Sequence, residues 1–452
     1  MIMKKIVFCI MALVTSVTMM AEDHVMAATR GTSKTAEDAT PKSLSVSLKE
    51  AQDYAVKQNR TLKNASLAVQ EAYAARWQTI ASMLPSLDGS VGKTVMYDDD
   101  FKEKMIVFPG MLEPMSMSPW TYGLTAAVGL NGQAIVGVLL NNVAIDMKKI
   151  ALEKSESELR SSILSSYVSV LALRSISNLL DSSLNNIEHL EKITLNAVEA
   201  GAAERTTADQ IHVRVNTLKN SINVQKRNIE LATNSLKVLL DVPAETELTL
   251  TDNIDDVLSP ERVLNLLGQN FAIENNLNYQ LLSKQVELAK RNVHMAGWAY
   301  GPTASLAYQY SYRDYGNSSG FSMMNSPHTV AFTLQMPLWS SGKRAAGVVE
   351  KKIALEEAKN TLSETTDNLE IQYRQLCFNL SNAYETYMNE KENIEVTQRV
   401  FHSTTEKFKW GAASNLELTN ASNDLISAQS TYVQAMLSLI NAEAELEEFL
   451  NK

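Results

Sequence analysis

The stretch TASLAYQYSYR, Thr303–Arg313, alternates between two kinds of side chain. Every second residue from Ala304 to Tyr312 is apolar, and the residues between them are small or polar. Because successive side chains of a β-strand point to opposite faces, this pattern predicts a strand with one apolar face. Strands of about ten residues with such a face are typical of transmembrane β-barrels, although an ordinary half-buried sheet also contains them.

Three other stretches repeat the alternation. Trp120–Leu130 and Thr329–Leu338 follow it cleanly, whereas Leu87–Tyr97 is interrupted on its apolar face by Lys93. The four predicted strands form two hairpins, and the rest of the sequence offers no core element to cover their apolar faces. We therefore expect these faces to contact membrane lipid.

Four strands are too few to close a barrel. Closure takes about eight strands, and lipid does not tolerate open sheet edges. Neighbouring copies of the chain must therefore complete the barrel. Two copies would give about eight strands around a filled interior, and three would give about twelve strands around a lumen. We predict the trimer.

Two long intervals connect the strands to the remainder of the chain. They run from Gly132 to Gly201 and from Gly342 to Gly411, at a constant offset of 210 residues, and both are almost free of proline. Each interval predicts a continuous helix about 100 Å long. The offset predicts a twofold internal repeat.

Apolar residues that step by four and three follow both glycine turns, and this heptad pattern predicts helices that pack along a coiled-coil seam. Gln225 alone breaks the apolar rule. The first copy comprises Ile211, Val215, Leu218, Ile222, Gln225, Ile229, Ala232, Leu236 and Leu239, and the second Ala421, Leu425, Ala428, Tyr432, Ala435, Leu439, Ala442, Leu446 and Phe449. Leucines also recur every seven residues in the interval before the second turn: Leu355, Leu362, Leu369 and Leu376.

A corresponding pair of landmarks precedes the long intervals. Asn59 and Asn276 each stand the same distance ahead of a proline, Pro85 and Pro302, and the residues between them are helical in composition. Ser47 to Glu50 form a capping-box pattern, which predicts the start of the first helix.

The N-terminus predicts a cleaved secretory signal in residues 1–27. Lys4 and Lys5 precede an apolar run of about fifteen residues, and small residues follow it. Beyond this segment we expect no apolar stretch long enough to cross a membrane as a helix. The mature chain then keeps Cys377 alone, which excludes an intramolecular disulfide.

Composition argues against several other classes of protein. The formal net charge of −10 is unsuited to nucleic acid. The six histidines show no metal-ligand spacing, and Asp98 to Asp100 are more simply a solvated loop than a calcium site. Phosphate-binding loops and catalytic motifs are missing from the sequence. We therefore expect no metal, no cofactor and no enzymatic activity.

With these features in hand, nearly all of the mature chain resembles the TolC-type outer membrane efflux proteins. The resemblance depends on LPSL at Leu84–Leu87, PLWSSGK at Pro337–Lys343, GAASNLEL at Gly411–Leu418, the internal repeat and the long heptad helices. The order and spacing of these features make the match, since no single motif is specific.

The resemblance implies a mainly α-helical chain that adds four strands to a trimeric, twelve-stranded outer membrane β-barrel, with the helices forming a tunnel across the periplasm. It divides the chain into the signal at 1–27, a linker at 28–46, a first repeat at 47–241, an equatorial linker at 242–260 and a second repeat at 261–452. The implied function is passive export through a tripartite efflux or type I secretion system. The implied partners are outer membrane lipid, a periplasmic adaptor protein and an inner-membrane transporter.

The resemblance also assigns roles to the turns between the long helices. They would be periplasmic tips that dock the adaptor, with exposed small and apolar residues at Gly201, Ala202, Ala203, Gly411, Ala412, Ala413, Leu416 and Leu418. In the family two acidic residues one helical turn apart constrict the tunnel entrance. Here these positions are Glu417 and Asn420, so the chain keeps one acid.

Two other functions compete with the duct. A surface coiled coil with an adhesive role would not need the four alternating strands, and a general porin would need more strands and no long helices. Single-channel conductance separates the three, because an adhesin gives no current, a porin is open at rest and a duct is mostly closed.

Overall fold

The computed structural model describes residues 43–93, 120–201, 204–254, 260–314 and 328–451. The predicted signal and Asp98 to Asp100 lie outside these residues. The helices are α1 (Leu48–Gln58), α2 (Arg60–Ala81), α3 (Gly132–Glu199), α4 (Arg205–Leu240), α5 (Pro260–Leu267), α6 (Leu277–Gly297), α7 (Lys343–Lys409) and α8 (Asn415–Phe449). The strands are β1 (Ser43–Val46), β2 (Ser86–Lys93), β3 (Trp120–Asn131), β4 (Glu247–Leu250), β5 (Thr303–Asp314) and β6 (His328–Gln335). Short 3-10 turns cover Ile273–Asn275 and Trp298–Tyr300.

The described chain divides into two compact units. The sheet unit consists of residues 69–148 and 282–361, and the helical unit consists of residues 43–68, 149–281 and 362–451. Each unit takes segments from both halves of the sequence. Helices α3 and α7 pass from one unit into the other.

The sheet unit contains one antiparallel sheet in the order β2-β3-β5-β6. All four predicted strands are present, but β6 ends at Gln335 rather than Leu338. The reason is the register, since Gln335 pairs with Thr303, the first residue of β5. The alternation of residues 336–338 therefore continues past the end of the strand.

The register aligns the apolar residues of neighbouring strands on one face. Tyr122 lies opposite Tyr312 with ring centroids 6.4 Å apart, and Leu306 lies opposite Phe332. Val330 and Phe332 are both 70% exposed. Within the described residues, nothing covers this face.

Helices α3 and α7 run without interruption for 68 and 67 residues, as the two long intervals predict. On the heptad face of α7, Leu369 and Leu376 are buried in the helical unit, while Leu355 and Leu362 are half-buried. Helix α3 also contains a stretch that is long and apolar enough to cross a membrane, by length and composition. The expectation that no stretch of the mature chain is long and apolar enough for this is therefore wrong. Helix α3 is so apolar because it supplies core residues such as Ile163, Tyr167 and Val168.

The seam of the helical unit follows the heptad prediction. None of the eighteen positions is exposed, and most are buried. The apolar exception, Gln225, is half-buried and donates from Nε2 to the carbonyl oxygen of Leu173 at 3.2 Å. A backbone acceptor thus compensates for the polar side chain in the seam.

A second, parallel sheet pairs β1 with β4. Tyr167 supports it, since its hydroxyl donates to the carbonyl oxygen of Val46 at 3.0 Å. Burial raises the pKa of Tyr167 to about 12. Asp252 accepts the backbone N–H of Leu48 at 2.7 Å. These contacts join the end of the linker at 28–46 and the start of α1 to the predicted equatorial linker at 242–260.

Candidate functional site

The connections between the long helices reverse the chain at glycines. Gly201 has a φ of +72° and Gly411 a φ of +71°, a conformation that side chains with a Cβ rarely adopt. The N–H of Gly411 donates to the carbonyl oxygen of Phe408 at 3.0 Å, and that of Ala412 donates to Lys407 at 2.8 Å. These bonds satisfy the last carbonyls of α7, as a left-handed glycine after a helix commonly does.

The second turn contains a capping box that starts α8. Ser414 Oγ accepts the backbone N–H of Glu417 at 3.2 Å, and the N–H of Ser414 donates to Glu417 Oε2 at 2.7 Å. This hydrogen bond from the Ser414 backbone lowers the pKa of Glu417, whose carboxylate remains exposed. The first turn differs, because Glu204 at the start of α4 makes no such side-chain bond.

The residues assigned to the second turn do not share one environment. Gly411, Ala412, Glu417 and Asn420 are exposed, and Leu416 is 68% exposed.

Ala413 is half-buried. Leu418 is 3% exposed and packs with Ile211 and Leu425 in the core, so it contributes no surface. Gly201 is exposed at the first turn, and Ala202 and Ala203 lie outside the described residues.

Sequence reasoning missed two features near the second turn. Trp410 is 86% exposed beside Gly411. The second feature is the capping box of Ser414 and Glu417. Their spacing in the sequence is that of Ser47 and Glu50, where the structure confirms the predicted capping box.

A groove of about 470 Å³ runs between α4 and α8 next to this turn. Arg214 lies in it and donates from Nη1 to Asn423 Oδ1 at 3.3 Å, and burial lowers the pKa of Arg214. Leu416, exposed at the second turn, is one of the residues that line the groove. The lining residues are Gln210, Val213, Arg214, Thr217, Leu218, Leu416, Thr419, Ser422, Asn423 and Ile426.

Polar contacts fasten the helices of each pair together near the turns. Lys219 Nζ lies 2.8 Å from Glu188 Oε1, and this hydrogen bond raises the pKa of Lys219. Thr431 Oγ1 donates to Glu390 Oε2 at 2.9 Å in the second pair. Among the described residues, no group of three or more histidine, cysteine or acidic side chains is arranged to hold a metal ion.

Residues 270–452 match the family described as outer membrane efflux protein. The C-terminal two fifths of the chain is thus similar to this family. The outer membrane efflux protein BepC of Brucella suis biovar 1 (strain 1330) is 20% identical over 346 residues, which cover 72% of the chain and 73% of BepC.

Solved structures of channel proteins share the fold. The CusC structure superimposes with a TM-score of 0.71 at 16% identity and covers 92% of this chain and 95% of CusC. The outer membrane channel CmeC of Campylobacter jejuni gives a TM-score of 0.68 at 16% identity, over 89% of this chain and 85% of CmeC. These values establish a mainly helical, TolC-like channel fold.

Proposed function

We propose that this outer membrane efflux protein is the passive export duct of a tripartite efflux or type I secretion system. It is a channel protein of the outer membrane that extends into the periplasm, and it is not an enzyme. One observation carries the proposal: a four-stranded sheet with an uncovered apolar face is continuous in the chain with two helices of 68 and 67 residues.

The sheet supports a barrel assembled from three copies. Within the described residues, β2 pairs with β3 alone and β6 with β5 alone, so the sheet has two open edges. Since lipid excludes unpaired edges, β6 of one copy would pair with β2 of the next. Twelve strands, about the number needed for a water-filled lumen, would then close the ring.

The helical unit supports the internal repeat. Asn59 Oδ1 accepts the N–H of Thr61 at 2.8 Å while its Nδ2 donates to the carbonyl oxygen of Leu239 at 2.9 Å. Asn276 makes the corresponding bonds, to the N–H of Asn278 at 3.0 Å and to the carbonyl oxygen of Phe449 at 3.0 Å. Each asparagine thus caps one helix and holds the end of another.

Single-channel conductance in planar bilayers tests the duct directly. The purified protein should insert and remain mostly closed, because a duct that waits for its adaptor must not leak. A channel that is fully open at rest would favour a porin. Absence of any current would favour a surface coiled coil.

The exposed second turn is proposed as the docking surface for the adaptor. Ala412 is small, exposed and free of the backbone strain that a substitution of Gly411 would add. We predict that Ala412→Trp lowers efflux at least about tenfold, because a bulky side chain blocks the close approach of a partner helix. Drug accumulation in cells provides the measurement.

The control is Ala412→Ser, which keeps a small side chain and should transport normally. Both variants should assemble as the wild type does, which cross-linking in membranes can check. Normal efflux by Ala412→Trp at normal abundance would contradict docking at this turn.

Glu417 is proposed to line the tunnel entrance as a ring of three carboxylates. Its carboxylate is exposed, and the backbone N–H of Ser414 lowers its pKa, so it is charged at neutral pH. We predict that Glu417→Gln reduces the cation preference of the channel by about twofold or more, since a ring of acids favours cations. Reversal potentials in a salt gradient measure this preference.

The glutamine variant separates charge from helix capping, because Gln can replace Glu in a capping box. Glu417→Ala removes both. An unchanged reversal potential in Glu417→Gln would exclude the ring, and a change confined to Glu417→Ala would assign the residue to helix capping alone.

A further inference from the structure

The connector between β6 and α7, residues 336–342, exposes large apolar side chains. Met336 is 61% exposed, Leu338 is 87% exposed and Trp339 is 86% exposed. Met336 and Leu338 continue in sequence the every-second-residue pattern of Phe332 and Leu334, beyond the end of the strand. The first half has no such connector, since β3 ends at Asn131 and α3 begins at the next residue.

Specific contacts hold this connector in shape. Arg344 Nη1 donates to the carbonyl oxygen of Pro337 at 2.7 Å, and its Nε donates to Ser340 Oγ at 3.0 Å. The guanidinium also lies over the ring of Tyr300, 5.3 Å from its centroid. A turn with φ of +48° at Ser341 and +81° at Gly342 follows. The backbone that carries Leu338 and Trp339 is therefore held on both sides by Arg344.

The connector lies at one end of the apolar face, and a second tryptophan lies at the other. Gln335 and Asn131 both pair with Thr303 at the connector end, whereas Trp120 pairs with Asp314 at the opposite end. Strands of this length, about 3.4 Å per residue and tilted by about 40°, span roughly 30 Å across a bilayer. That distance matches the hydrocarbon thickness of a membrane.

We propose that Leu338 and Trp339 form a lipid anchor at the boundary between hydrocarbon and headgroups, in the leaflet on the helix side of the barrel. Indole rings favour this boundary because they combine an apolar ring with an N–H donor. Lys343, exposed beside them, would reach phospholipid phosphates. The inference rests on the proposed function, since it requires the sheet to lie in a membrane.

Tryptophan quenching by labelled lipids tests the anchor. Full-length protein is reconstituted in phosphatidylcholine vesicles that carry a quencher either near the headgroup or deep in the acyl chain. The signal of Trp339 is the difference between wild type and Trp339→Phe. We expect the shallow quencher to reduce it about twofold more than the deep one, as suits a residue at the interface.

Two further variants act as controls. Trp410 is also 86% exposed but belongs to the turn between α7 and α8, so the difference between wild type and Trp410→Phe should show no lipid quenching. Trp120→Phe reports in the same way on the sheet itself, and Trp120 should be quenched.

The controls separate two kinds of failure. Quenching of Trp120 without quenching of Trp339 would overturn the anchor and leave the barrel intact, which is also the result if a neighbouring copy of the chain covers Trp339. Quenching of neither would contradict both the anchor and the proposed function.

Discussion

At the residue scale, the two strand-to-helix glycines show how one residue type serves different purposes. Gly132 and Gly342 stand 210 residues apart, each near the junction of a strand and a long helix, but a Cβ at Gly132 would lie 2.1 Å from the indole of Trp298, while a Cβ at Gly342 would meet nothing within 4 Å. Gly342 is required by its φ of +81° instead. The sequence predicts that glycine matters at both positions, but the reason at Gly132 depends on a contact with a distant residue.

A buried carboxylate is the second informative residue. Glu443 on α8 is 3% exposed and lies 2.7 Å from Nε of Arg262 on α5. The same guanidinium donates from Nη2 to both oxygens of Glu447, at 2.8 Å and 3.0 Å. Burial raises the pKa of Glu443 from 4.5 to about 7 because this shared cation compensates the charge incompletely.

Stability should therefore fall as pH rises. The unfolded chain releases the proton of Glu443 near pH 4.5 and the folded chain near pH 7, so the folded state binds this proton more tightly in between. The loss reaches at most about 3 kcal/mol across this window and is complete above it. We predict that Glu443→Gln reduces the fall in thermal midpoint between pH 5 and pH 8, as followed by circular dichroism in detergent.

The matched control is Glu445→Gln, which changes an exposed glutamate on the same helix. This variant should keep the pH dependence of the wild type. If Glu443→Gln showed the same dependence as Glu445→Gln, the buried carboxylate would not be the source.

At the element scale, local periodicity accounts for most of what could be predicted. Alternation gave the four strands and heptads gave the helices, because both patterns record which side of an element is covered. The predicted end of β6 was wrong, because the last residue of β6 is the one that pairs with the first residue of β5. The parallel sheet of β1 and β4 and the groove beside Arg214 were missed, because each joins segments about 200 residues apart that carry no local signal.

The helix ends of the helical unit depend on the two asparagines. Asn276 is 4% exposed, and its Oδ1 accepts the first N–H groups of α6 while its Nδ2 donates to the carbonyl oxygen of Phe449. Asn276→Ala removes all of these hydrogen bonds. We predict a loss of about 2–3 kcal/mol, from a lost cap and a buried unpaired acceptor. Thermal unfolding followed by circular dichroism at 222 nm measures it.

Asn276→Ser provides the control, because serine retains a capping oxygen without adding a charge and loses the donor to Phe449, and its loss should be intermediate. Asn59→Ala should resemble Asn276→Ala if the two halves are a structural repeat. A wild-type midpoint for both alanine variants would show that these bonds do not hold the helix ends.

At the scale of the whole molecule, the incomplete sheet is the feature on which the proposed assembly depends. The described chain supplies four strands with open edges at β2 and β6, and its apolar face has no cover. Nothing in the described residues pairs these edges or covers this face, so we propose that further copies of the chain and lipid complete the sheet. The number of strands already predicts from the sequence that one chain cannot close a barrel. Which strands form the open edges, β2 and β6, follows only from the strand order in the structure.

The mass of the assembly extracted from membranes tests this claim most directly. Native mass spectrometry in detergent, supported by cross-linking in intact membranes, should give three copies of the chain and a ladder that ends at the trimer. A single copy that stays dissolved without detergent would contradict the account, as would a complex of two.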